Sequence, residues 1–155
     1  MINMTNEHFM ETPVGYLKIA EQDGCIVGVD YTDDVSAGNA SNEILDQCVR
    51  ELREYFAGDR QRFDIPLNLS HRGTPFQQKV WKRLYEIPYG ETISYKMLAE
   101  DCGGPTYSRA VANANGKNPV SIIVPCHRVI AHDGSLGGYT GGVEKKERLL
   151  DLERR

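Results

Sequence analysis

Five consecutive residues, Pro125-Cys126-His127-Arg128-Val129, bring together the groups from which a reactive thiol is made. A cysteine attacks as thiolate, and its unperturbed pKa is about 8.5. A neighbouring imidazole, a cation such as Arg128 or the N–H dipoles of a helix end lowers that value. Cys beside His is therefore a nucleophile beside a base. Sequence neighbours seldom face each other, so His127 is expected to reach the sulfur through a water molecule or an unusual turn. A third group has to orient the imidazole, and Glu153 has the chemistry for it. The competing reading of an isolated Cys-His pair is a buried thiol next to a surface imidazole. A metal site of Cys126, His127, His132 and Asp133 is a further alternative. Against it stand an incomplete ligand set and the lack of a second cysteine at short spacing.

The other cysteines, at 25, 48 and 102, form no CxxC pair and suit neither a zinc finger nor a dense disulfide framework. They are expected to be buried free thiols in a reducing compartment. No apolar run is long enough to span a bilayer, and Met1–Phe9 lacks the basic start and apolar stretch of a secretory signal, so a cytoplasmic location is expected. The net charge of −4 is unevenly spread. Residues 1–72 hold 6 Lys/Arg against 13 Asp/Glu, and residues 73–155 hold 12 against 9. A polyanion would dock on the second half.

The elements that must position Cys126 fall into two groups. In the first, Tyr16–Ala20 and Cys25–Tyr31 are strand-like and Asp23-Gly24 between them is a hairpin signal. An earlier strand around His8–Met10 leads in through Pro13 and Gly15, and residues 33–41 form a loop. Ile44, Leu45, Cys48, Val49, Leu52, Tyr55 and Phe56 recur at helical spacing up to Gly58, and Phe63–Ile65 is expected to return as a strand. A linker follows at about Pro66–Gly73. In the second group, Thr74-Pro75-Phe76-Gln77 combines a capping hydroxyl, a first-turn proline and a capping-box glutamine. Phe76, Val80, Trp81, Leu84 and Ile87 form that helix's stripe, and Pro88-Tyr89-Gly90 stops it. Ser94 caps a short helix that ends near Gly103-Gly104, and Thr106 or its neighbour starts another, Tyr107–Asn115. Two short helices joined by a glycine turn outline a helix-turn-helix. The small side chains of Ser108–Ala114 suit either close approach to a large partner or plain helix packing. Residues 144–153 form a last helix with Leu149, Leu150 and Leu152 inward.

The string Pro125–Val129, preceded by Gly116-Lys117-Asn118-Pro119-Val120-Ser121-Ile122-Ile123-Val124, resembles the active-site signature of the O6-alkylguanine-DNA alkyltransferases (methylated-DNA–protein-cysteine methyltransferases). The similarity extends through Pro88–Tyr95, Ser108–Val111 and Gly138–Gly142 to Lys146–Glu153, and covers about residues 74–153. The resemblance implies an α+β fold in two parts. Residues 1–66 would be a small antiparallel sheet with one helix, ribonuclease-H-like. Residues 67–73 would be a linker, and residues 74–155 a winged-helix-like DNA-binding domain that holds the active site.

It also implies the activity, a single irreversible transfer of an alkyl group from guanine O6, and from O4-alkylthymine, to Cys126. His127, through water, would take the thiol proton and Glu153 would orient His127. Asn118 would brace the turn. Tyr95 would help rotate the nucleotide out, and Arg109 would enter the duplex in its place. The Thr140 N–H with the Cys126 and Val129 carbonyls would read the base edge, and Tyr139 would wall the pocket. The partner would be double-stranded DNA, met by a monomer without a cofactor. The physics agrees, because a stacked base hides its O6 substituent from a protein thiolate. A thioether, unlike an acyl-enzyme, gives water no carbonyl to attack. Some relatives carry a structural zinc, but Cys25, Cys48, His8 and His71 make no convincing ligand set, so no metal is expected. Asn115-Gly116 is small and polar where some members place bulkier groups at the pocket rim. Two other functions fit parts of the pattern: a non-reacting sensor of alkylated DNA with the same fold, which Cys126 argues against, and a Cys-His hydrolase, which would need an oxyanion hole.

Overall fold

Asp23 and Gly24 both have positive φ, +52° and +81°, the geometry whose twist matches a two-residue hairpin. They join β2 (Gly15–Gln22) to β3 (Cys25–Tyr31), and β1 (Asn6–Thr12) pairs antiparallel on the other side of β2. The computed structural model describes residues 5–34, 39–70 and 72–155, which form two compact units. The first runs up to Leu69 and also takes in Pro119–Ser121; the second holds Ser70–Asn118 and Ile122–Arg155. Of the loop expected at 33–41, residues 35–38 lie outside the described residues.

In the first unit one sheet face buries Leu17, Ile19, Ile26 and Val29. The helix α1 (Glu43–Phe56) supplies Leu45, Cys48, Val49, Leu52 and Tyr55 as its buried stripe. Asn42 caps it by accepting from the Leu45 N–H at 2.9 Å. The strand expected at Phe63–Ile65 does not form. The Asp64 and Ile65 N–H groups donate instead to Oε1 of the buried Glu51, at 2.8 and 3.1 Å, so they have nothing left for a ladder. The outer edge of β3 is met further on. Ile26 donates to the Pro66 carbonyl and accepts from Asn68, and Val29 does the same with Pro119 and Ser121.

The second unit opens with α2 (Pro75–Tyr85), whose capping box is complete: Gln77 N–H donates to Thr74 Oγ1 at 3.1 Å and Thr74 N–H to Gln77 Oε1 at 2.9 Å. Val80, Trp81, Leu84 and Ile87 are buried, and Phe76 is half-buried, stacked on Tyr107 at 5.4 Å between centroids. After the short β4 (Ile93–Ser94), Ser94 caps α3 (Tyr95–Asp101). The turn at Gly103-Gly104 runs at φ +144° and +135°. A Cβ at Gly103 would stand 2.8 Å from the Tyr107 ring, so that position has room only for glycine. A 3-10 turn, Pro105–Tyr107, leads without a side-chain cap into α4 (Ser108–Gly116). Trp81 Nε1 donates to the Ala114 carbonyl at 2.9 Å and Arg83 Nε to Asp101 at 2.8 Å, tying α2 to α4 and to α3. The short β5 (Val129–Ile130) pairs parallel with β4, and α5 (Val143–Glu153) ends the unit. Among the described residues no helix is long and apolar enough to cross a membrane.

Thr74→Ala removes the acceptor for the Gln77 N–H and half of the reciprocal cap. It should lower stability by about 1 kcal/mol in equilibrium denaturation. A loss below about 0.3 kcal/mol would mean that α2 is held by packing alone.

Candidate active site

The Pro125–Arg128 stretch is too short for a helix and forms one 3-10 turn, Cys126–Arg128, which β5 continues. The turn projects three consecutive side chains in different directions, and all three are buried. Asn118 holds the approach to it, donating from Nδ2 to the Val124 carbonyl at 2.7 Å. Asn115 Nδ2 lies 3.5 Å from the Cys126 carbonyl.

His127 is directed at α5. Its Nε2 lies 2.7 Å from Glu153 Oε2, at the C-terminal end of α5. A carboxylate only accepts, so Nε2 carries the proton and Nδ1 is the basic nitrogen of the neutral ring. Nδ1 is buried and has no hydrogen-bond partner among the described residues. The carboxylate of Glu153 is thus hydrogen-bonded to the imidazole, and Nδ1 is the ring nitrogen that this bond leaves open.

Glu153 has further partners. Arg128 Nε donates to Oε1 at 2.8 Å and its terminal nitrogen to Oε2 at 3.0 Å, while the other terminal nitrogen donates to the Ile87 carbonyl at 2.7 Å. Gly90 N–H approaches Oε1 at 3.4 Å. Burial would raise this carboxyl, but the hydrogen bonds and charges of His127 and Arg128 outweigh it and hold the group at about 2. Burial pushes the His127 imidazole below its usual range despite Glu153, with Arg128 and Lys146 adding to the depression. Burial likewise pushes the Cys126 thiol up, opposed by the Asn118 side chain and the Lys146 charge.

Cys126 lines a cavity of about 410 Å³ together with Tyr95, Ala112, Asn115, Gly138, Tyr139 and Thr140; Gly116 completes the rim. Tyr95 Oη sits 3.5 Å from the Gly138 carbonyl, and Thr140 Oγ1 donates to the Gly116 carbonyl at 2.8 Å. Of the residues expected at the site, Cys126, His127, Asn118 and Glu153 are therefore brought together, and Tyr95, Tyr139 and Thr140 wall the cavity. The Val129 carbonyl is used from below by a residue the sequence reading passed over. Lys146, fully buried, donates from Nζ to Val129 O at 2.7 Å and to Gly138 O at 3.1 Å, with its ammonium 5.7 Å from the Tyr95 ring centre. Burial lowers it to about 8, with the Cys126 charge opposing. Arg109 stands apart, exposed on the first turn of α4. Asp133 accepts from Ser135 in an exposed turn. Among the described residues no three His, Cys, Asp or Glu side chains are grouped to hold a metal ion, and His71 lies outside them. Cys25, Cys48 and His8 sit on β3, α1 and β1.

Residues 75–155 match the family described as 6-O-methylguanine DNA methyltransferase, DNA binding domain, and residues 6–69 match its ribonuclease-like domain. A methylated-DNA–protein-cysteine methyltransferase of Mycolicibacterium paratuberculosis is 46% identical, covering 94% of this chain and 90% of its own. The constitutive methylated-DNA–protein-cysteine methyltransferase of Bacillus subtilis is 44% identical, covering 93% and 92%. Among solved structures, Mycobacterium tuberculosis OGT in complex with DNA has a TM-score of 0.86 at 43% identity, covering 96% of this chain and 92% of its own.

Glu153 makes a stability prediction. Its carboxyl is held below the ordinary 4.5, at about 2, so its contribution is complete above that ordinary value and is lost as pH falls towards the lower one. Glu153→Gln should therefore be less stable than wild type near neutral pH. The gap should close between about pH 4.5 and about pH 2 in urea titrations of both proteins. A gap independent of pH would mean that shape, not charge, is what Glu153 contributes.

Proposed function

The chain belongs to the 6-O-methylguanine DNA methyltransferase family, and from that premise we propose that it repairs DNA by moving an alkyl group from guanine O6 to Cys126. The observation that carries this reading is a thiol on the wall of a cavity of about 410 Å³, with a carboxylate-bonded imidazole in the adjoining interior. The sulfur attacks the alkyl carbon, the carbon–oxygen bond breaks, and the electron pair passes to O6 and the guanine ring, which takes a proton from water at N1. The thiol proton leaves through a bridging water to Nδ1 of His127, while Glu153 stabilises the imidazolium as it forms. Burial pushes the Cys126 thiol up, so attack depends on a base that removes its proton.

The product is a thioether with no carbonyl for water, and each molecule acts once. The cavity takes one base, so the damaged nucleotide has to leave the stack, at a cost of a few kcal/mol. Arg109, exposed at the head of α4, fills the gap. Tyr95 and Tyr139 flank the base, and the Thr140 N–H and the Cys126 and Val129 carbonyls read its edge. Lys146 occupies one lone pair of the Val129 oxygen and leaves the other. Asn118 keeps the turn from collapsing. O4-alkylthymine is the second substrate. The protein acts on duplex DNA as a monomer in the cytoplasm, and its weak basic excess suits sequence-independent phosphate contacts.

Two measurements check this. Incubation with duplex DNA containing O6-methylguanine should add about 14 Da, one methylene, once per protein molecule and on the peptide holding Cys126. Cys126→Ala should bind without reacting. Repeated turnover would indicate a hydrolase, and binding by wild type with no adduct a sensor. Arg109→Ala should slow repair of duplex DNA roughly tenfold or more while leaving the free alkylated base almost unaffected, because only the duplex has a stack to open. Equal losses on both substrates would make Arg109 an ordinary structural residue.

A further inference from the structure

The relay from Cys126 through His127 to Glu153 leaves Arg128 without a role, yet Arg128 makes more bonds to Glu153 than His127 does. It uses its planar fork on both carboxylate oxygens and its remaining terminal nitrogen on the Ile87 carbonyl. Its guanidinium lies 5.7 Å from the Tyr89 ring centre. Such a bidentate clamp fixes both the position and the rotation of a carboxylate.

We propose that Arg128 is a positioning residue of the relay: by saturating Glu153 it prevents His127 from taking a proton from solvent, so that the imidazole charges only when Cys126 releases its own proton. The inference rests on the reading of His127 as the base for Cys126.

Charge counting supports it. The charged groups that act on His127 are Arg128 on its own turn and Glu153 and Lys146 on α5. Tyr89 and the Ile87 carbonyl close the Arg128 side, with Arg155 near Tyr89. Among the described residues one carboxylate, Glu153, stands here against two cations, the Arg128 guanidinium and the buried Lys146 ammonium, so the enclosure already carries excess positive charge. An imidazolium formed from solvent would be a buried excess cation, which is costly. An imidazolium formed with the Cys126 thiolate adds a pair of opposite charges, and the net charge of the site does not change. The geometry has the same sense. Arg128 pins Oε1 and shares Oε2, so Oε2 is fixed in the plane where Nε2–H donates. The depressed basicity of His127, to which Arg128 contributes, agrees.

The test uses the full chain. Imidazole NMR of wild type should show His127 neutral at least about one pH unit below the ordinary histidine midpoint of about 6.5. An ordinary or raised midpoint overturns the proposal without any variant. The rate of Cys126 modification by iodoacetamide is then followed against pH. Arg128→Gln should move the midpoint down by about one unit, because a more basic His127 stabilises the thiolate at rest. Glu153→Gln should move it up. Arg128→Lys keeps the charge, so its midpoint should stay near wild type even where stability falls. That arm decides if Arg128→Gln fails to fold, since a shift of about one unit in the lysine variant overturns the role given to the charge. An unmoved profile in Glu153→Gln would sink the relay itself. A profile that rises in Glu153→Gln but is unmoved in Arg128→Gln would sink only the part assigned to Arg128.

Discussion

Glu153 lies on the last turn of α5 with almost no access to water, and a carboxylate there is tolerable only if donors surround it. The donors come from two distant stretches of the second unit. One is the Cys126–Arg128 turn, which sends two neighbouring side chains to the same group. The other is the turn after α2, where Gly90 N–H faces Oε1 and Tyr89 Oη faces the Leu152 carbonyl at 3.4 Å. Gly90 runs at φ +79°, and a Cβ there would stand 3.2 Å from the Glu153 carbonyl oxygen, so glycine serves both the turn and the close approach. The end of α5, the turn after α2 and the reactive turn are thereby fixed to one another by one charge. A buried ion pair of this kind adds little net stability over an apolar substitute. Its value lies in permitting one arrangement only.

The same enclosure explains how a nucleophile can rest unreactive. Burial pushes the thiol up and the imidazole down, each against an opposing partner: Asn118 and Lys146 for the sulfur, Glu153 for the ring. Neither bias is relieved by solvent. On the proposed reading of a protein that reacts once, that balance is a gain, since an exposed thiolate would be consumed by any oxidant or electrophile. Lys146 links the two sides of the cavity. It holds the Val129 and Gly138 carbonyls at the same time, and so fixes the exit of the reactive turn against the glycine-rich wall.

Local chemistry was legible in the sequence wherever a motif carries its own geometry. Asp23-Gly24 turns as its types require, Thr74 and Gln77 cap each other, and Ser94 begins its helix. What escaped were groups whose meaning is tertiary. Phe63–Ile65 has the composition of a strand, but Glu51, one element away, takes its N–H groups. Lys146 has the look of a solvated helix lysine beside Lys145. The signal against that was present: Lys146, Leu149, Leu150 and Glu153 are spaced three, four and seven apart, which places them on one helix face. Once Leu149 and Leu150 are inward, both charged residues must be inward too, and Leu152, expected inside, is only half-buried. The family resemblance supplied the roles of His127 and Glu153, but no motif encodes the lysine between the carbonyls or the clamp on the carboxylate.

Backbone strain marks where the apolar run before Cys126 changes direction. Ile122 sits at φ +73°, a region in which a β-branched residue is a true outlier. Such a conformation persists only where the surroundings over-determine it. Here the Asn118 side chain spans the stretch and holds the Val124 carbonyl, two residues before the thiol. Ile122 and Ile123 are buried on the way, so the turn cannot relax outward without exposing them. The chain then has no freedom left at Pro125, whose ring fixes φ, and the 3-10 turn begins at the next residue. Cys126 is thus aimed by three constraints that act on the backbone before it: an amide that closes the loop, a pair of buried isoleucines and a proline. None of them touches the alkyl group, and together they decide which way the sulfur faces.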